Sequence, residues 1–92
     1  MRAVQVREYG GPEVLAVAEV ADPVVAAGEL LVRVAASGVN YIDTYHRTGA
    51  YPVPLPFTPG LEGAGEVVAV GEGVGGFAVG DRVAWASALG SY

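Results

Sequence analysis

Asn40, Tyr41, Tyr45 and Tyr51 are the residues in this chain whose chemistry and spacing suggest a shared task. An asparagine amide both donates and accepts, and a tyrosine joins a stackable ring to a hydroxyl. If the segment around them is helical, Tyr41 and Tyr45 stand at i and i+4 on one face, with Asn40 within a turn of both. Such a set can hold a flat, polar ligand such as a nicotinamide or a quinone. It serves equally well as a capping asparagine with surface aromatics covering the end of a β structure. On these residues alone both readings stay open.

Other chemistry is harder to assemble. Gly71-Glu72-Gly73-Val74-Gly75-Gly76 matches the spacing of a dinucleotide fingerprint. That fingerprint must open a helix whose N-terminal amides receive a pyrophosphate, with an acid about 20 residues on. Here Phe77-Ala78-Val79-Gly80-Asp81-Arg82 reads as a turn entering a strand, so a structural hairpin loop is expected. His46 is the single histidine and there is no cysteine, whereas a zinc site needs three or four convergent ligands. No metal site is expected, and His46 reads as a solvated residue near a helix end. Ser37, Ser87 and Ser91 lack an adjacent base or a nucleophile elbow. No catalytic acid, base or nucleophile can be assigned. Glu62 lies in the apolar run Pro59-Gly60-Leu61-Glu62-Gly63-Ala64-Gly65, which implies partial burial. It reads either as a tuned acid or loop anchor, or as half of an ion pair with an arginine.

The elements that must position these groups follow from composition and pattern. The 92 residues suit one domain, and 14 glycines and six prolines are too many for a helix bundle. A 52% apolar and 16% charged composition excludes intrinsic disorder. A net charge of −5, with five arginines and no lysine, disfavours nucleic acid and anionic membrane surfaces. No run reaches the ~20 apolar residues of a membrane span. With no disulfide and no apolar core in Met1-Arg2-Ala3-Val4, the expected compartment is the cytoplasm.

Alternation predicts strands over 3–8, 14–20, 30–36, 62–70 and 82–86. In the second, Leu15 and Val17 share one face. In the third, Leu30, Val32 and Val34 oppose Leu31, Arg33 and Ala35. Residues 40–47 read as a short helix, with Asn40 as N-cap, Asp43 in the first turn, His46 and Arg47 late, and Gly49 as the stop. Pro52 to Gly60 must be extended and outside any sheet centre, with Leu55 and Phe57 packed down. Gly63 and Gly65 inside a strand imply a bend or a close backbone approach. The pattern is that of a mainly β fold, a small barrel or sandwich.

Four motifs, in order and at natural spacing, carry a resemblance. They are Gly10-Gly11-Pro12-Glu13-Val14-Leu15, Gly38-Val39-Asn40-Tyr41-Ile42-Asp43-Thr44-Tyr45, Pro59-Gly60-Leu61-Glu62-Gly63-Ala64-Gly65 and Val79-Gly80-Asp81-Arg82-Val83. Together they make the chain similar to the quinone oxidoreductase family, the zinc-free, zeta-crystallin-like medium-chain dehydrogenase/reductases. Ser87 to Tyr92 resembles the bacterial branch. The resemblance implies a GroES-like, partly open β-barrel with one short helix, spanning residues 1–92 as the N-terminal part of a catalytic domain. The cofactor-binding Rossmann domain that follows in the family is not in this chain.

The resemblance also implies an activity for the parent enzyme, the NADPH-dependent reduction of a quinone or enone by hydride transfer without zinc. Zinc-dependent relatives carry a cysteine where this chain has Asn40 and a histidine where it has Leu61. Asn40 and Tyr45 match family positions at the nicotinamide end of NADPH. Tyr51 matches the aromatic near the cleft mouth, and Tyr51 and Tyr41 are the expected substrate-side residues. A homodimer is an option for the parent. The 92-residue chain alone is expected to be inactive, to bind NADPH feebly and to expose apolar surface. Two other readings remain: a stand-alone GroES-like barrel acting as a non-enzymatic assembly or binding module, and an enoyl reductase segment of a larger synthase.

Overall fold

The computed structural model describes residues 1–92 and contains two small antiparallel sheets and one helix. Strands β1 (Arg2–Gln5) and β2 (Ala16–Glu19) pair in one sheet, with Val4 opposite Val17. Strands β3 (Leu30–Gly38), β4 (Glu62–Val70) and β5 (Arg82–Trp85) form the other, with β4 central. Helix α1 spans Tyr41–Thr48. The sheets do not close on each other. Beyond the three ladders of these sheets, a single bridge joins Val6 to Phe57.

This is the expected mainly β, partly open architecture, with differences at the edges. The first strand ends at Gln5, because Val6 leaves the β1–β2 ladder to bridge the proline-rich segment. The second begins only at Ala16, because Pro12–Val14 form a 3-10 turn. Leu15 lies just outside β2, and both it and Val17, read as sharing one face, are exposed, Val17 at 68%. The third strand runs on to Gly38, and register shifts after Leu31 and Val34 break its simple alternation. In the proline-rich segment Phe57 is buried, but Leu55 is 41% exposed.

Of the bend or close approach expected in β4, the close approach is present at both glycines. A Cβ on Gly65 would lie 2.0 Å from the Arg33 carbonyl oxygen, and one on Gly63 2.5 Å from the Trp85 ring. The strand can pack there only without side chains.

The core is thin. Val6, Phe57 and Val67 are its buried apolar side chains, and the accessible surface is 5863 Å². A compact protein of 9.3 kDa exposes about 5000 Å². An open concavity of about 780 Å³ lies between the sheets, lined by residues including Leu30, Leu31, Val32, Phe77, Val83 and Leu89.

The pairing of Gly38 with Glu62 places everything from Val39 to Leu61 at one end of the β3–β4 ladder. Helix α1 and the proline-rich segment therefore hang together from that end. Three links hold them down. Arg47 Nε donates to the Gly10 carbonyl at 3.1 Å, and the Gly10 N–H donates to the Arg47 carbonyl at 3.1 Å. The Tyr9 hydroxyl donates to the Val53 carbonyl at 2.5 Å.

Candidate functional site

Helix α1 forms as its sequence directs. Asn40 is extended at the N-cap (φ −121°, ψ 153°), and its N–H donates to Asp43 Oδ2 at 3.0 Å. The acid three residues into the helix thus satisfies a backbone donor that the helix itself leaves unpaired. At the other end Gly49 adopts the left-handed conformation (φ +86°) and its N–H reaches the Tyr45 carbonyl at 3.1 Å.

The three tyrosines of the predicted set come together on this frame. Tyr41 and Tyr45, one turn apart, meet edge to face with centroids 5.4 Å apart. Tyr51 packs edge to face on Tyr45 at 5.1 Å, and its N–H donates to the Tyr45 carbonyl at 3.2 Å. The Gly49 turn brings the chain back far enough for that contact. Tyr41 is 77% exposed, Tyr51 55% and Tyr45 37%, while Asn40 is half-buried at the base of the helix. The arrangement is an exposed aromatic lip with hydroxyls, beside a helix start that carries an amide side chain. It offers flat apolar contact and neutral hydrogen bonding. These features fit a planar heteroaromatic ring such as nicotinamide.

The glycine motif lies elsewhere. Gly71 to Gly76 form a turn between β4 and β5, and no helix follows it, as predicted. Two other expectations need correction. Glu62 is exposed rather than partly buried, and its carboxylate lies over Gly38 instead of pairing with an arginine. The strand pleat turns that side chain outward at the end of the ladder, where water solvates it. His46 is half-buried rather than solvated, with Nδ1 enclosed and unpaired. It stands one turn after Asp43 on the inward side of the helix.

Sequence reasoning missed the polar node under the lip. Asp43 is 6% exposed, and its Oδ2 accepts a second hydrogen bond, from the Tyr92 hydroxyl at 2.5 Å. Burial, and then the hydrogen bond to the Asp43 carboxylate, push the Tyr92 phenol up to about 12. The Asn40-to-Asp43 spacing signals the capping half of this node; nothing in the sequence signals Tyr92.

Comparison with known proteins agrees with this architecture. Residues 26–91 match the alcohol dehydrogenase GroES-like domain. The quinone oxidoreductase of Lama guanicoe is 51% identical over 86 residues, covering 90% of this chain and 26% of that protein. The quinone oxidoreductase of Pseudomonas aeruginosa is 50% identical over 93 residues, covering 99% of this chain and 29% of that protein. The solved Escherichia coli quinone oxidoreductase complexed with NADPH superposes with a TM-score of 0.94 at 44% identity, over 99% of this chain and 28% of that one. The chain thus spans under a third of the length of the proteins it matches. With residues 26–91, more than two thirds of its length, inside that domain model and a fold that superposes on the N-terminal part of quinone oxidoreductases, the chain belongs to the alcohol dehydrogenase GroES-like domain family.

Proposed function

We propose that this chain is the N-terminal GroES-like part of an NADPH-dependent quinone or enone oxidoreductase. In that reading it supplies one wall of the cofactor cleft, and the Rossmann domain is supplied by sequence outside residues 1–92. The observation that carries the reading is the Tyr41–Tyr45–Tyr51 lip beside Asn40, on a chain 44% identical to a quinone oxidoreductase complexed with NADPH. Asn40 and Tyr45 are assigned to the nicotinamide end, and Tyr51 with Tyr41 to the substrate side.

When bound, NADPH supplies the hydride. The chain's own residues do the positioning. The Tyr45 ring would pack against the nicotinamide, and the Asn40 amide would offer it a donor and an acceptor. Tyr41 and Tyr51 cover the mouth and exclude water from the acceptor. No general acid or base is assigned among this chain's residues, so protonation of the reduced product falls to a tyrosine hydroxyl of the lip, to solvent or to the rest of the parent. The reading is zinc-free, because Asn40 and Leu61 stand where zinc-dependent relatives carry cysteine and histidine, and the chain has no cysteine.

No helix is long and apolar enough to cross a membrane. A cytoplasmic setting suits a cysteine-free chain, and the net charge of −5 argues against a nucleic-acid partner.

The test uses the intact parent enzyme. Tyr45→Ala should raise the KM for NADPH by about 3- to 10-fold, the scale of one lost aromatic contact. An unchanged KM removes Tyr45 from the cofactor site. A parent with no NADPH response at all would leave the assembly-module reading.

A further inference from the structure

The carboxylate under the lip is shared. Asp43 Oδ2 accepts from both the Asn40 N–H at 3.0 Å and the Tyr92 O–H at 2.5 Å. Its other oxygen, Oδ1, is enclosed and has no partner. The orientation of this buried carboxylate is therefore set by two donors on a single atom, one from the helix start and one from a residue 49 positions away.

Tyr92 is itself firmly placed. Its N–H donates to the Pro59 carbonyl at 3.0 Å, and its carbonyl accepts from the Val4 N–H at 3.3 Å. The preceding Ser91 carbonyl accepts from the Ser37 hydroxyl at the end of β3. The ring lies against Gly60 (φ +97°), where a Cβ would come within 2.4 Å of it. Gly60 thus meets two demands, a left-handed backbone and room for the ring. The phenol is aimed at the helix start by contacts to β1, β3 and the proline-rich segment.

We propose that Tyr92 is a positioning residue for the cofactor lip: through Asp43 Oδ2 its hydroxyl fixes the backbone of Asn40 and hence where the Asn40 amide points. The part of this inference that concerns the cofactor rests on the function proposed above. Without the phenol proton the carboxylate has a free oxygen and a single remaining donor. It can then rotate, and the N-cap geometry that orients Asn40 loosens.

The experiment is amide NMR on the 92-residue chain without cofactor, comparing the parent sequence with Tyr92→Phe and Ser91→Ala. Tyr92→Phe keeps the ring in its place against Gly60 and removes only the hydroxyl. The Asn40 amide proton should move upfield and exchange about fivefold faster, while the Val67 amide in β4 stays unchanged. Ser91→Ala, whose hydroxyl is enclosed without a partner, should leave Asn40 where it is. An unmoved Asn40 amide in Tyr92→Phe overturns the proposal. So does a joint shift of Asn40 and Val67, or an equal shift of Asn40 in Ser91→Ala, since either marks a merely structural effect.

In the intact parent, Tyr92→Phe should raise the KM for NADPH about threefold to fivefold with kcat changed less than about twofold. A fall in kcat at unchanged KM overturns the link to the cofactor. Failure of the function itself reads differently, as a Tyr45→Ala variant with unaltered NADPH kinetics and an intact Asn40 response in the NMR.

Discussion

At the residue scale, single positions in this chain are set by what sits opposite them. Gly65 faces the Arg33 carbonyl so closely that a methyl group would meet it at 2.0 Å. Gly65→Ala must part β3 from β4 at that point, and should lower stability by about 2 kcal/mol or more, read as a lower urea midpoint. Tyr92 gives a pH-dependent counterpart. Its phenol titrates near 10.0 when unfolded and about 12 when folded, through burial and then the bond to Asp43. Below pH 10 the group is protonated in both states and its contribution is complete. Between 10 and 12 the unfolded chain has released a proton that the folded chain still holds, so stability falls as pH rises. The stability margin of the parent chain over Tyr92→Phe should therefore be larger at pH 8 than at pH 11.5 in paired urea titrations. The Glu62 error also belongs to this scale. Apolar neighbours in sequence imply burial only if the pleat points the side chain inward, and at the end of β4 it points out.

At the element scale, α1 illustrates how a short helix depends on its surroundings. Its N-cap, first-turn acid and C-terminal glycine are all legible in the sequence, and all occupy those positions. Eight residues are nonetheless fewer than the ~12–15 at which isolated helices become marginal in water. A peptide spanning residues 39–51 should show a coil-like circular dichroism spectrum. Stable helicity in that peptide would mean that Arg47–Gly10 and Asp43–Tyr92 are incidental to the lip. The strands were legible where alternation and glycine agreed, as in β4, whose bounds match the prediction. They were misjudged near Val6 and Leu15. There the 3-10 turn and the bridge to Phe57 take residues that local pattern alone assigns to a ladder.

At the scale of the whole molecule, the dominant feature is an apolar concavity of about 780 Å³ that the chain does not fill. The chain exposes more surface than its mass requires, and three apolar side chains form its buried core. The isolated 92 residues should bind the dye ANS under native conditions, with a broad and early thermal transition. No ANS fluorescence at neutral pH would mean that the two sheets close over the concavity in solution. The mainly β class, the helix with its caps, the need for glycine at position 65 and the tyrosine spacing were all legible in the order of residues, because each follows from dihedral preference or from the periods of helix and strand. Packing in three dimensions was needed to show that Tyr51 folds back onto Tyr45, that Glu62 faces water, and that Tyr92 reaches Asp43 from 49 residues away. Contacts between segments distant in the chain depend on how loops and sheets are placed in space, and no local pattern encodes that placement.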